Sequence, residues 1–356
     1  MSRIIQMITF LSIALAVFLS MNYYVLYRIS SVFGIQRNKW FYVVLILLST
    51  SLIFTTWIEK TYSNSFTKAL YAFSATWLGA VFLLLIGMIL FEIIKLFIAP
   101  KIAMIGILTV VFLLIVGGII NASMLTIKHL DVEIEGLKEP IKAVQLSDVH
   151  IGSIRGNDFL KRIVNTTNEI NPDVVFVTGD LVDGSAPLTE NMFKELKDLK
   201  APTYFSVGNH EQYEGLAEVL PKVKKSGLKI LQNNKTMFKD LQIIGVDFSE
   251  TKGYLEKELY NTGYEKDKPS VLLFHAPDSF EYAAKQGIDL MLSGHTHGGQ
   301  IWPFNLLVRL RYSKIKGDYH YLNSTLHVSA GTGTWGPPMR IGTRSEITVI
   351  NLISKK

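Results

Sequence analysis

At 356 residues the chain is long enough for more than one folding unit, and the absence of cysteine excludes disulfides, thiolate metal ligands and a cysteine nucleophile. The formal net charge of +6 is carried entirely by the first third: up to Ile127, Arg3, Arg28, Arg37, Lys39, Lys60, Lys68, Lys95 and Lys101 face only Glu59 and Glu92, and the rest of the chain is balanced. These cations flank apolar runs, so the basic character gives no support to nucleic-acid binding.

In chain order, four apolar stretches come first, at roughly 4–27, 41–57, 71–94 and 102–124, each near the ~20 residues that a helix needs to cross a bilayer. One such run alone fits a buried core helix; four in succession, separated by short polar links, predict a membrane region over residues 1–127. The first run also has the position of a signal peptide, but it is long, lacks a small-residue cleavage site and is followed by three more spans, so it reads as an anchor. Four crossings place both chain ends on one side. The links carrying Arg28, Arg37, Lys39, Lys95 and Lys101 outnumber the opposite set of Arg3, Lys60, Lys68 and Lys128, and the positive-inside rule then puts the C-terminal part outside the cytoplasm of a multi-pass cell-membrane protein. Glu92 and Lys95 are one turn apart and are expected to pair at the interface.

Residues 128–139 read as a linker or entry strand. A βαβαβ rhythm comes next: strand "IKAVQLS" (141–147), helix "DFLKRIVNTTNEI", strand "PDVVFVTG", amphipathic helix "TENMFKELKDLK" and strand "PTYFSVG". This alternation predicts a mostly parallel core with helices on its faces over 140–356. Further strands are expected at "LQIIGV", "SVLLFH", "IDLMLSG", "LHVSAG" and "EITVINL".

The residues at the strand ends are unusual. Five strands finish on a carboxylate, imidazole or carboxamide: "DVHIG" with Asp148 and His150, "GDLVDG" with Asp180, "GNHE" with Asn209 and His210, then His275, then "GHTHGGQ" with His295 and His297. Ligands bind beyond the carboxyl ends of strands in open α/β sheets, so these clusters are expected to converge. Nitrogen and oxygen donors without thiolate suit Zn, Mn, Fe or Co. The donors are too many for one tetrahedral ion and match two ions about 3.5–4 Å apart with one shared carboxylate; Asp180 lies in the middle of the set. Asp148 and His150, like His295 and His297, are at i and i+2, and in extended chain such residues point the same way.

The five motifs in this order resemble the calcineurin-like metallophosphoesterases, and within them the bacterial and archaeal branch whose catalytic domain is tethered to a membrane. The resemblance covers about residues 140–350 and leaves the four spans aside. It implies an αββα sandwich of two β-sheets flanked by helices. It also implies two divalent cations, one held by Asp148, His150 and His297, the other by Asn209, His275 and His295, with Asp180 bridging. His210 matches the histidine that protonates the leaving group or steadies the phosphate without ligating metal, and Arg340 in "SAGTGTWGPPMRIGTRSEI" is an expected phosphate contact. The reaction implied is attack of a metal-bridging hydroxide on a phosphoester or pyrophosphate.

Several points stay open at this level. The substrate is a lipid-linked phosphoester, or a soluble nucleotide or phosphoprotein acted on by a phosphodiesterase or phosphatase. A membrane sensor that keeps the metal-binding domain as a scaffold is the competing class. His129, His320 and His327 lack partner motifs and are expected to have no catalytic role; Glu211 is either support or solvated. "FNLLVRLRYSKIKGD", just past the paired histidines, reads either as a hairpin with inward apolar residues or as a lip that meets membrane lipids through Leu306, Leu307, Arg309 and Arg311, with anionic headgroups as partners.

Overall fold

The apolar third folds into four helices, each long and apolar enough to cross a membrane: α1 (Arg3–Phe33), α2 (Lys39–Tyr62), α3 (Ser65–Ile94) and α4 (Pro100–Ser123). The computed structural model describes residues 3–355. Short polar links end the helices by capping them. The Asn38 side chain accepts from the Trp40 amide, and Asn64 with Thr67 forms a reciprocal capping box at the start of α3. Gly87 lets α3 and α4 approach, since a Cβ there would lie 2.7 Å from Ile107 Cγ2. Glu92 pairs with Lys95, as its spacing predicts, and also with Arg28 from α1, a partner that only the packing of helices supplies.

These helices cluster as one unit, through Ile120 and with Gly336–Met339; a second unit takes up the chain from Asn121. The expected membrane region extended to 127, but Leu125–Ile127 already belong to β1 (Leu125–Ile134), a full strand paired in parallel register with the strand Ser345–Ser354 from Leu125–Ser345 onward. The segment read as a linker or entry strand is therefore mostly sheet.

The second unit is a two-sheet sandwich. Its elements in chain order are β1, β2 (Ile141–Leu146), α5 (Asn157–Ile170), β3 (Val174–Thr178), β4 (Thr203–Ser206), α6 (Asn209–Glu214), α7 (Leu216–Lys225), β5 (Lys229–Leu231), β6 (Asn234–Phe238), β7 (Leu241–Val246), α8 (Tyr254–Asn261), β8 (Ser270–Phe274), α9 (Phe280–Lys285), β9 (Leu290–Ser293), α10 (Phe304–Arg311), β10 (Gly317–Tyr321), β11 (Ser324–Val328) and β12 (Ser345–Ser354). One sheet runs β1-β12-β2-β3-β4-β5 and the other β10-β11-β9-β8-β7-β6. Both are parallel at the centre, with antiparallel pairs only at β12–β2, β10–β11 and β6–β7.

The alternation along each strand separates three cores. On β2 and β3, Ala143, Val174 and Phe176 face the other sheet and meet Leu241, Ile243, Val271 and Leu273. Their neighbours Val144, Val175 and Val177 face the helix layer with Leu160, Ile163 and Val164 of α5. On the far side, Leu272 and Met291 pack against Leu255 of α8 and Phe280 of α9. Period-two patterning therefore predicts two covered faces per sheet, and four layers result. The segment expected as an amphipathic α-helix, Glu190–Asp198, is a 3-10 helix. Its buried residues Phe193 and Leu196 are three positions apart, the period at which a 3-10 helix stacks side chains in line.

Candidate metal centre

The carboxyl ends of β2, β3 and β4 in one sheet and of β8 and β9 in the other open onto the same spot. Asp148, His150 and His297 bring one donor atom each within 4.8 Å of one another; so do Asp180, His275 and His295, and so do His150, Asp180 and His210. His150 Nε2 lies 3.0 Å from His297 Nε2 and 3.8 Å from Asp180 Oδ2, and His297 Nε2 lies 3.4 Å from Asp148 Oδ1. In the second group His275 Nε2 is 3.2 Å from the same Asp180 Oδ2, and His295 Nδ1 is 2.8 Å from Asn209 Oδ1. Atoms bound to one ion at about 2.1 Å sit about 3–3.4 Å apart, which is the spacing of most of these contacts.

A second observation tests the fit. His275 Nδ1 faces the Thr178 carbonyl at 2.7 Å, whereas its Nε2 is buried without a well-formed hydrogen bond. Its near neighbour is Asp180 Oδ2 at 3.2 Å, out of line for a hydrogen bond, an arrangement that a cation between the two atoms would satisfy. The donor set fits divalent metal, with Asp180 Oδ2 close to donors of both groups.

Local chain geometry explains how so many donors share so small a space. Asp148, His150, Asp180, His295 and His297 all have left-handed φ between 50° and 69°, a region sparsely used by residues with a Cβ and found where function demands it. The paired histidines of "GHTH" do not point the same way, contrary to the extended-chain expectation. Their backbone turns into a short 3-10 segment at His297–Gly299, which sends His295 to one group and His297 to the other. The glycines here make room: a Cβ on Gly294 would lie 2.0 Å from Ser147 Oγ and 2.1 Å from Asp148 Oδ2, and one on Gly208 would lie 2.3 Å from Asp180 Oδ1.

Other side chains hold the donors. Glu211, undecided in the sequence, is fully buried and accepts from four backbone amides: Oε2 from Asp180 and Gly208, Oε1 from Leu181 and Val182. It lies at the third position of α6, where a capping glutamate belongs, so a local signal for it existed. Ser147 Oγ donates to Asp148 Oδ2 at 2.6 Å, and the His295 amide donates to the same carboxylate at 3.0 Å. Tyr312, just past α10, places its hydroxyl 2.9 Å from His295 Nε2, leaving Nδ1 toward Asn209; nothing short-range in the sequence marks it.

Burial lowers His150 and His297 well below the usual imidazole range and His295 to about 3, so these rings are neutral and offer lone pairs near neutral pH. Burial raises Asp148 to about 6, against the opposing charge of His275. At Asp180 burial acts upward but is outweighed by His275 and His210, and the carboxyl stays well below its ordinary range. At His275 burial acts downward but is outweighed by Asp180, and the ring rises to about 10. Before a cation binds, Asp180 and His275 thus form a buried ion pair whose proton a metal must displace.

His210 sits beside the groups, its ring 4.7 Å from that of His150, and its Nδ1 donates to the Asp183 carbonyl at 2.9 Å. The Arg340 guanidinium is fully buried and donates to the carbonyls of Gly331 and Gly333 and to Thr343 Oγ1, with His297 Nδ1 at 3.4 Å. These bonds hold it behind His297, where it braces that ring. His320 hydrogen-bonds to Thr325 within the second sheet, His327 to Asp318 of that sheet and to Thr348 of the first, and His129 is exposed on β1.

The first eight residues of the segment expected as a hairpin or lip form helix α10, none of whose residues is buried, whereas Tyr312 and Ile315 beyond it are buried. Leu306, Leu307 and Leu310 are 58%, 55% and 84% exposed. The inward-packed hairpin is therefore ruled out. Of the nearby cations, Arg311 pairs with Asp278 and Lys314 with Glu281, so those two are tied to acids of this chain, and Arg309 remains exposed.

Residues 141–299 match the family model described as calcineurin-like phosphoesterase. The chain is 36% identical over 262 residues to an uncharacterized metallophosphoesterase of Campylobacter jejuni, covering 70% of this chain and 69% of that one. It is 31% identical over 226 residues to a metallophosphoesterase of Aquifex aeolicus, covering 60% and 86%. The similarity is not confined to bacteria: a transmembrane protein with metallophosphoesterase domain of Danio rerio is 35% identical over 272 residues, covering 69% of this chain and 61% of the relative.

Proposed function

We propose, for a chain that belongs to the calcineurin-like metallophosphoesterase family, that it is a membrane-anchored hydrolase cleaving a phosphoester or pyrophosphate with two divalent cations, Mn, Zn, Fe or Co, and that its substrate is lipid-linked. The observation that carries the hydrolase reading is the meeting of eight side chains, Asp148, His150, Asp180, Asn209, His210, His275, His295 and His297, at the ends of five strands. Asp148, His150 and His297 would hold one ion and Asn209, His275 and His295 the other, with Asp180 shared between them; its Oδ1 accepts from the His210 amide at 2.9 Å, which leaves Oδ2 as the donor oxygen. Two ions so held would acidify a shared water into the nucleophile and offset the phosphoryl charge. The chain's own groups do the rest. The Asp183 carbonyl can only accept, so it fixes the proton on His210 Nδ1 and turns Nε2 toward the site, from which a protonated ring delivers a proton to the leaving oxygen.

The lipid reading rests on α10. Its leucines expose apolar surface that water disfavours, Trp302 and Phe304 extend it at 57% and 40% exposure, and Arg309 adds a cation. Apolar residues with flanking positive charge suit a bilayer interface. Through Tyr312 the same helix touches His295, so lipid contact and metal site are one residue apart. Changing Leu306, Leu307, Arg309 and Leu310 together to Ser is expected to cut hydrolysis of a lipid phosphoester in mixed micelles by about tenfold or more, the scale set by removing exposed leucines from an apolar phase. A small soluble aryl phosphodiester should be cleaved as before. Equal loss on both would reduce α10 to a structural helix and remove the lipid reading.

The charge bias of the links supports an extracytoplasmic position for the C-terminal unit. Because the chain lacks cysteine, Gln36→Cys and Lys200→Cys report on topology without background. An impermeant maleimide on intact cells is expected to label the second and not the first; the reverse pattern inverts the orientation.

A further inference from the structure

The last turn of α4 and the first residues of β1 wall a polar cleft of about 450 Å3 to which none of the eight metal-site residues contributes. Asn121, Thr126 and Lys128 lie along it with Lys316, Arg344 and Glu346. Both oxygens of its only carboxylate are engaged: Glu346 is 1% exposed, its Oε1 accepts from the Ala330 amide at 2.8 Å, and its Oε2 pairs with Lys128 Nζ at 2.7 Å. That leaves two cations without an acid. Lys316 Nζ donates once, to the Gly342 carbonyl at 3.2 Å. Arg344 is exposed, and among the described residues its guanidinium has neither a hydrogen bond nor an ion pair. Two such cations facing a cleft with no free acid form an anion site.

Chain connectivity says where the anion is. Asn121 belongs to α4, an apolar helix of 24 residues, and its side-chain amide donates to the Arg340 and Thr343 carbonyls at 2.9 and 2.8 Å, which ties the helix end to the cleft wall. Thr126 follows Ser123 by three residues, at most about 10 Å of extended chain. The chain itself therefore keeps Thr126 within about 10 Å of the end of α4, a helix long and apolar enough to cross a membrane, and lipid phosphates lie at the ends of such a helix. We propose that this cleft binds the phosphate of an anionic phospholipid headgroup, with Arg344 and Lys316 as its charge partners. The lipid is a ligand here and not a substrate: Arg340 presents its backbone carbonyl to Asn121 and its guanidinium to His297, so the wall of the cleft separates the anion from the metal donors. The proposal does not depend on the hydrolase reading, because no residue of the metal centre lines the cleft.

The test uses the full chain in nanodiscs of phosphatidylcholine with phosphatidylglycerol, followed by native mass spectrometry of the lipid that remains bound. The wild type is expected to retain a single phosphatidylglycerol. Lys316→Ala with Arg344→Gln should weaken that retention by roughly 30-fold, the scale for two cations at a membrane surface. Thr126→Trp fills the cleft and leaves every charge in place, and it should lose the lipid equally. Hydrolysis of a soluble aryl phosphodiester and thermal unfolding should match the wild type in both variants, which shows that the fold is intact. If Thr126→Trp keeps the lipid while the charge variant loses it, the attraction is diffuse surface charge and the cleft is not the site. If inorganic phosphate displaces phosphatidylglycerol at equal concentration, the ligand is a free anion. If the wild type retains no more lipid than Thr126→Trp, the cleft binds none; each of these three results overturns the proposal.

Discussion

Asp180→Asn is expected to abolish hydrolysis, by about 10³-fold or more, and to lower bound metal from two equivalents toward one or none. The exchange is nearly isosteric and separates the two oxygens by role. Oδ1 accepts from the His210 amide, and an asparagine oxygen keeps that bond. Oδ2 lies 3.2 Å from His275 Nε2 and 3.8 Å from His150 Nε2, and an amide nitrogen there offers protons where both ions need a negative donor. Losing metal charge stabilisation of several kcal/mol corresponds to about 10³-fold or more in rate. The substitution also removes the charge that raises His275, so that ring should titrate lower in the metal-free variant. Metal analysis alongside turnover decides the matter: two equivalents retained with near-normal rate would mean that Asp180 does not bridge.

His210→Ala separates an acid from a ligand. The Nδ1 proton is held by the Asp183 carbonyl, and the ring stands at the edge of the metal groups. An acid in that place contributes roughly 10²–10⁴-fold. The variant should therefore keep both metals and lose rate by that factor on alkyl phosphoesters, while nitrophenyl substrates, whose leaving group needs no proton, should lose much less. His210 also has a ring nitrogen within reach of donor atoms of His150 and Asp180. A drop in bound metal on substitution, with equal rate loss for both leaving groups, would place it in the coordination shell instead.

The sequence by itself determined the parts that depend on near neighbours. Twenty-odd apolar residues in a row have no stable fate in water except burial or a bilayer, so four spans are legible. Alternation along "IKAVQL" and "VVFVT" marks strands with two covered faces. The donor types after each strand, without any thiol, restrict the chemistry to oxygen- and nitrogen-loving cations. A glutamate three residues after Gly208 has the position of a cap, but the sequence alone leaves open whether it supports the site or is solvated.

Only the tertiary structure decided which donors face each other. Asp148, Asp180 and Asn209 come from one sheet and His275, His295 and His297 from the other, and no local pattern says which sheet a strand will join, because pairing is set by contacts far apart in the chain. His295 and His297 share a motif yet serve different groups, since left-handed backbone and a 3-10 turn break the extended geometry that their spacing implies. Arg340 turns inward to His297 because the carbonyls of Gly331 and Gly333 meet it there, and a buried guanidinium needs such acceptors. Arg28 reaches Glu92 only because α1 packs beside α3. The mixed apolar and basic run after "GHTHGGQ" is a helix with its leucines outward. Composition there fitted both an inward hairpin and an exposed lip, and only the fold shows Leu306, Leu307 and Leu310 exposed.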